Sequence, residues 1–483
     1  MQGSSTTRLA ILALVAGFGQ SALAAQAPAG LVIRDVTVVS PERAAPLEHA
    51  NVRLENGRIA ELSTRTLKGG QEIDGKGRFL IPGLVDTHTH LGWVAGLTEQ
   101  QNKAHADLVK GAEAQEPRSY LYFGYTTVLS LGENSSGVAK WSGFALHPDA
   151  YFCGKAPVAK GYAFYGFEES SYFLFNSEQA AEIPAFIDKT LHTPQAVVAR
   201  MVADGAICVK TYFEHGFGAN HNLPVPSLAM IQEIVAAAHA RGLPVFMHAN
   251  AKEAQKFAVD AGVDVVAHGM FNGHDFTSSG ALADDVQEIL QSVVKRGMGY
   301  QPTTQVFRGL QVQFDDSFFG DPLLADAYTP SLLAWYRTDE AGWFRKDLAD
   351  IPPRMFVYKL RLVDTVVRTL AANNARLLFG TDTPSDDTYG NPPGLNGFYE
   401  MRRWIGAGVS LKQLFRAATI ENAKVMKLEK EIGTVEAGKR ANLLLLAANP
   451  LQGVEAYNAI ETVILGGEPI KREDLSARHA AAH

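Results

Sequence analysis

From about Leu80 onward, short apolar runs alternate with stretches of helical periodicity, and this alternation limits the chain to few architectures. The runs include Thr126-Thr127-Val128-Leu129-Ser130, Ile207-Cys208-Val209-Lys210, Pro244-Val245-Phe246-Met247-His248, Val263 to His268 and Arg376 to Asp382. Between two of them, Ser227 to Arg241 places apolar residues at helical spacing, with Gly242 as a stop. Strand, helix and strand in succession require parallel strands joined by crossovers. Enough units are present to predict an α/β fold, a closed (β/α)8 TIM barrel over residues 79–429.

The flanks read differently. Residues 30–78 form short strand patterns, with an Asn-Gly hairpin signal at Glu55-Asn56-Gly57-Arg58. Residues 430–475 resume that character, so a small composite β-sandwich domain built from both chain ends is expected. The segment from Phe307 to Pro353, rich in aromatic residues and Asp, fits no simple crossover; a lid and a packed excursion are equal readings. The Ala- and His-rich tail beyond about Leu475 is expected to fray.

Residues 1–24 read as a signal peptide: Arg8, an apolar stretch from Leu9 to Phe18, and Ala22-Leu23-Ala24 as a small-x-small cleavage pattern. The stretch falls short of the roughly 20 residues that span a bilayer. Export to the periplasm or medium is expected, without stable membrane insertion. The net charge of −7 and scattered Lys and Arg argue against a nucleic-acid partner. A small molecule is the expected partner, and a homo-oligomer is left open. Cys208, in an apolar run, is expected to be a buried inert thiol, with a disulfide to Cys153, the other cysteine, as the alternative.

Several apolar runs end in residues that can bind a metal. In Asp86-Thr87-His88-Thr89-His90 the two histidines point the same way from an extended strand. Further runs end at Lys210, His248, His268 and Asp382, and such positions converge on one mouth of a barrel. A buried lysine with a depressed pKa could add carbon dioxide, and the carbamate would offer one oxygen to each of two metals. The alternative for Lys210 is an ion pair with Glu214.

His88-Thr89-His90, Lys210, His248, His268 and Asp382 together resemble the ligand set of the amidohydrolase superfamily. Gly83-Leu84-Val85-Asp86, Gly380-Thr381-Asp382, Ala238 to Val245 and Ala261-Gly262-Val263-Asp264 extend the likeness to the branch holding imidazolonepropionase-like and prolidase-like hydrolases. The resemblance implies that His88, His90 and Asp382 hold the more buried of two divalent metals, His248 and His268 the other, with carboxylated Lys210 between them. Zinc is the expected metal, although nitrogen and oxygen ligands also suit manganese, cobalt and iron. Ala441-Asn442-Leu443 departs from the family, which usually has an aspartate there. Ser130 to Phe173 carries many aromatic residues that align with no known specificity.

The implied chemistry is hydrolysis of an amide-like C–N bond, with Asp382 as general acid and base. Tyr212 and His215 are candidates for contacting the oxyanion. The expected substrate is a dipeptide or N-acyl amino acid, with Arg308, Arg337 and Arg345 as candidate partners for its carboxylate. Hydrolysis of an ester, lactone or phosphotriester is the alternative. Deamination is disfavoured, because Ala249-Asn250-Ala251 follows His248 where mononuclear deaminases carry a glutamate.

Overall fold

The computed structural model describes residues 30–480 except 169, 218–219, 273–275, 278–279 and 386. The N-terminal leader expected from sequence lies outside these residues. No helix among them is long and apolar enough to cross a membrane.

Eight parallel strands form one sheet in chain order: Leu84–Thr89, Tyr125–Ser130, Asp149–Ala156, Cys208–Tyr212, Val245–His248, Val265–Ala267, Gly299–Gln301 and Arg376–Leu377. Most are buried along their whole length, as strands covered on both faces must be. The two ends of the sheet are tied by backbone bonds: Thr87 N donates to Phe379 O, Asp382 N to His88 O and His90 N to Thr383 O. Asn422 reinforces this junction, its Nδ2 donating to Val85 O and Phe379 O at 2.7 Å each.

The expected helix is Leu228–His239, capped by Ser227 Oγ accepting from Met230 N, with Gly242 in the left-handed region just beyond. Alternate residues of the sheet point into one buried layer: Val85, Leu129, Cys153, Cys208, Phe246, Val265 and Leu378 belong to a single cluster. Two residues further along their strands, Cys208 leads to Lys210 and Phe246 to His248. The mouth of the sheet therefore sits directly on an apolar floor.

Within that floor Cys153 and Cys208 are bonded, which corrects the expectation of an inert free thiol. They are register partners on adjacent strands with Cα atoms 4.4 Å apart, inside the range a disulfide requires.

A second, mixed sheet of eight strands draws on both chain ends. It runs Glu468–Lys471, Ile460–Leu465, Leu443–Leu446, Phe79–Pro82, Leu31–Val38, Leu47–Glu55 and Arg58–Ser63, with Gln71–Asp74 also on Leu31–Val38. One hydrogen-bonded path links these strands, where a two-sheet sandwich was expected. The Asn56-Gly57 hairpin forms, both residues at positive φ. Leu443 and Leu445 enter the core of this sheet while Leu444 and Leu446 face the larger core, so all four are buried. The apolar run from Phe79 to Val85 is split at Gly83 between the two sheets. A Cβ there would lie 2.0 Å from Thr126 Oγ1, so only glycine allows the close passage. Asn442, at the family's aspartate position, secures the junction: its carbonyl accepts from Gly83 N and its Nδ2 donates to Asp149 Oδ2 at 3.0 Å.

The 307–353 segment takes the packed alternative. It carries the short helices Leu324–Ala327, Pro330–Tyr336 and Trp343–Asp347, and Tyr336 Oη and Trp343 Nε1 donate to Ala95 O and Gly96 O. The tail does not fray through residue 480, contrary to expectation. Arg478 and Ser476 both bind the Asp326 carboxylate, which anchors it.

Candidate metal centre

All six residues singled out as ligands gather at the C-terminal edge of the parallel sheet. His88 Nε2 and His90 Nε2 lie 3.1 and 2.9 Å from Asp382 Oδ1, and His268 Nδ1 lies 3.6 Å from Asp382 Oδ2. The His88 and His268 rings are 4.8 Å apart and those of His248 and His268 4.4 Å. Donor atoms of His88, His268 and Asp382 all fall within 4.8 Å of one another. His268 is thus near both groups of ligands that the resemblance separates. His268 and Asp382 both adopt positive φ, which for side-chain-bearing residues is uncommon and marks backbone held in place by its surroundings.

Neighbouring polar groups explain the orientation of these side chains. Gln301, ending its strand, donates from Nε2 to Thr87 Oγ1 and Thr87 O. Its Oε1 must then face His88 Nδ1, 2.7 Å away, so that nitrogen carries the proton. His88 Nε2 therefore presents a lone pair to the Asp382 carboxylate. Two acceptors at 3.1 Å repel unless a cation or a second proton lies between them. Burial opposes the second proton, pushing His88 down to about 4. Burial likewise lowers His248 and His268. Burial opposes ionisation of Asp382, but positive charge beside it, on protonated His88 and His268 or on a cation between them, outweighs burial and holds the carboxyl well below its usual range. Neutral imidazoles around an anionic carboxylate are the donor set a divalent ion requires.

Lys210 is the strongest sign of what the centre holds. It is 2% exposed, and its Nζ has no hydrogen-bond partner among the described residues. Burial pushes its pKa down to about 7, opposed by Asp382. Glu214, the alternative partner, turns instead to His248 Nε2 at 3.3 Å. An uncompensated buried ammonium is costly, whereas a free amine there can form a carbamate. The residues present fit a divalent centre.

Of the oxyanion candidates, Tyr212 lies at the site, its ring 6.1 Å from that of His248 and 5.7 Å from Lys210 Nζ. His215 does not: it is exposed, with Nδ1 3.4 Å from Leu223 O. The three arginines are engaged locally. Arg308 pairs with Asp315 at 2.7 Å, Arg345 with Asp316 at 3.2 Å, and Arg337 donates to Phe319 O.

Sequence reasoning missed Gln301, Thr303, which lies 3.1 Å from His268 Nδ1, the part played by Asp86, and the turn of Glu214 toward His248 rather than Lys210. Asp86 accepts from His88 N, Thr381 N and Thr381 Oγ1, joining the backbone of His88 to the residue before Asp382. Burial pushes its carboxyl up to about 7. The available signal was position, since Asp86 lies in the apolar run that leads to His88 and Gln301 ends another buried strand of the same sheet.

The Amidohydrolase family model matches residues 79–305 and 358–470. A D-hydantoinase from Rhizobium radiobacter is 27% identical over 138 residues, which cover 27% of this chain and 26% of that relative. The chain therefore matches about a quarter of that protein's length. An imidazolonepropionase from Thermoplasma volcanium is 40% identical over 45 residues, 9% of this chain and 11% of that protein. Among solved structures, a Xaa-Pro dipeptidase with bound methionine superposes with a TM-score of 0.63 at 19% identity, covering 92% of this chain and all of that one. The A. niger ochratoxinase superposes with a TM-score of 0.62 at 17% identity, covering 92% and 96%. With the family matched along two long segments and its ligand types gathered at one sheet edge, the chain belongs to the amidohydrolase family.

Proposed function

We propose that this protein is an exported metal-dependent hydrolase that cleaves a C–N bond in a dipeptide or N-acyl amino acid. The observation that carries the proposal is Lys210, buried and without a hydrogen-bond partner among the described residues, beside three histidines and Asp382. In this reading the eight parallel strands are a (β/α)8 barrel, closed through the bonds between Leu84–Thr89 and the segment around Asp382, with the mixed sheet as a second domain. His88, His90, His248, His268, Asp382 and N6-carboxylated Lys210 hold two divalent ions, zinc by preference. Such ions supply Lewis acidity to the substrate carbonyl and make water acidic enough to react near neutral pH. Asp382 takes the water proton on its carboxylate and delivers it to the departing nitrogen. Tyr212 Oη donates to the oxygen on which charge develops. The hydroxyl stays protonated for that role, because burial pushes its pKa well above that of a free tyrosine. Gln301 and Asp86 hold His88 and Asp382 in position.

The names of the similar proteins, a dipeptidase and ochratoxinase by fold and a hydantoinase by sequence, favour C–N bonds as the target. Export is supported by the buried disulfide, since such bonds persist in oxidising compartments. A screen of dipeptides and N-acyl amino acids with metal-loaded protein tests the proposal. Turnover that falls at least about a thousandfold in Asp382→Asn is expected. Turnover of esters or phosphotriesters without any amide, or unchanged hydrolysis in Asp382→Asn, would overturn it.

A further inference from the structure

The mouth holds a second lysine that the proposed mechanism does not use. Lys155 is the last residue but one of the strand Asp149–Ala156 and is the register partner of Lys210 on the next strand. Register partners on parallel strands share a face. Cys153 and Cys208, two residues earlier, point into the apolar floor, so Lys155 rises beside Lys210 on the same inner side.

Two further contacts locate its side chain. A Cβ on Gly132 would lie 3.8 Å from Lys155 Cδ and 3.9 Å from Tyr212 Oη, so the two groups border one space that the glycine leaves open. The ammonium lies 4.2 Å from the centre of the Tyr165 ring. Glu133 and Glu168 act on Lys155 through space, yet neither forms an ion pair or hydrogen bond with it among the described residues. A half-buried cation facing the site without a carboxylate partner is prepared for an anion from outside.

Aromatic rings line the adjoining wall. Tyr162 lies 4.7 Å from the His248 ring, 5.8 Å from Tyr212 and 5.7 Å from Phe217. Tyr165 is 86% exposed and Phe217 48%, so these two rings present apolar surface that is left open among the described residues.

We propose that Lys155 binds the carboxylate of the substrate while Tyr162, Tyr165 and Phe217 pack against its apolar or aromatic side chain. This assignment rests on the C–N hydrolase reading. In an N-acyl amino acid the carboxylate carbon is only about 3–4 Å from the scissile carbonyl carbon. A cation one strand away from Lys210, about 5 Å in backbone terms, can reach it.

The test compares N-acetyl-L-phenylalanine with N-acetyl-2-phenylethylamine, the same molecule without its carboxylate, in wild type, Lys155→Met and Lys155→Arg. Lys155→Met should raise KM for the acid at least about tenfold, change kcat less than about threefold and leave the neutral compound unaffected. Lys155→Arg should keep most of the affinity. Calorimetry with N-acetyl-L-phenylalanine and metal-free protein gives a second readout, with Kd expected to weaken about tenfold in Lys155→Met. Equal effects on both compounds, an unchanged KM and Kd, or no binding of the acid to wild type would overturn the assignment. Absence of turnover with the Kd loss intact would overturn N-acyl amino acids as the substrate and leave Lys155 as the group that binds the carboxylate.

Discussion

Glu116 offers a measurement whose sign and size follow from its surroundings. It sits on the helix Ala106–Tyr122, 5% exposed, in a small cavity with Tyr328, Tyr336 and Asn391. Oε2 accepts from Gly92 N at 3.3 Å, and Oε1 has no hydrogen-bond partner among the described residues. Burial pushes its carboxyl from 4.5 up to about 8, with the Gly92 bond offsetting only part of that. Between those values the folded protein keeps a proton that the unfolded chain releases, so stability falls as pH rises. The penalty is about 1 kcal/mol at pH 5 and about 4 kcal/mol at pH 8, using about 1.4 kcal/mol per unit. Glu116→Gln cannot titrate, and any fixed cost of the amide cancels between the two pH values. For a chain of this length, a change of about 3 kcal/mol corresponds to about 3 °C in Tm. Scanning calorimetry of both proteins should show the variant gaining about 3 °C on wild type between pH 5 and pH 8. A gap that does not move with pH, or moves toward wild type, would refute the burial argument.

Lys210→Ala should lose at least about a hundredfold in activity, and a small carboxylate such as acetate should restore part of it by supplying two oxygens in the vacated space. Full activity and unchanged metal content in Lys210→Ala would rule out the bridging role. Cys153→Ala with Cys208→Ala opens a link with a sequence separation of 55. The cost should be about 4 kcal/mol, read as a Tm about 4 °C lower, and no further loss should follow from reductant.

The clustering of the six ligand candidates was legible because each ends an apolar run, and a strand that must be buried leaves its chemistry nowhere to go but its tip. Their partners were not. Gln301 and Glu214 act by hydrogen bonds to His88 and His248 that cross from one strand to another, and such bonds leave no spacing in sequence. The Cys153–Cys208 bond depends on inter-strand register, which hydrophobic pattern alone does not define across a long crossover. The run from Phe79 to Val85 is apolar throughout, so its pattern gives no sign that the chain changes sheets at Gly83. His215 failed because sequence proximity to Lys210 says nothing about where a loop turns after the strand ends.

The mixed sheet makes the two ends of the gene depend on each other in time. Phe79 pairs with Leu446 and Leu80 with Leu445, so the first-made strands have no neighbour on that side until nearly the whole polypeptide has been synthesised. Strand edges left bare for so long invite pairing with other chains. The join at Phe79 and Leu446 thus makes completion of this sheet wait on its late strand.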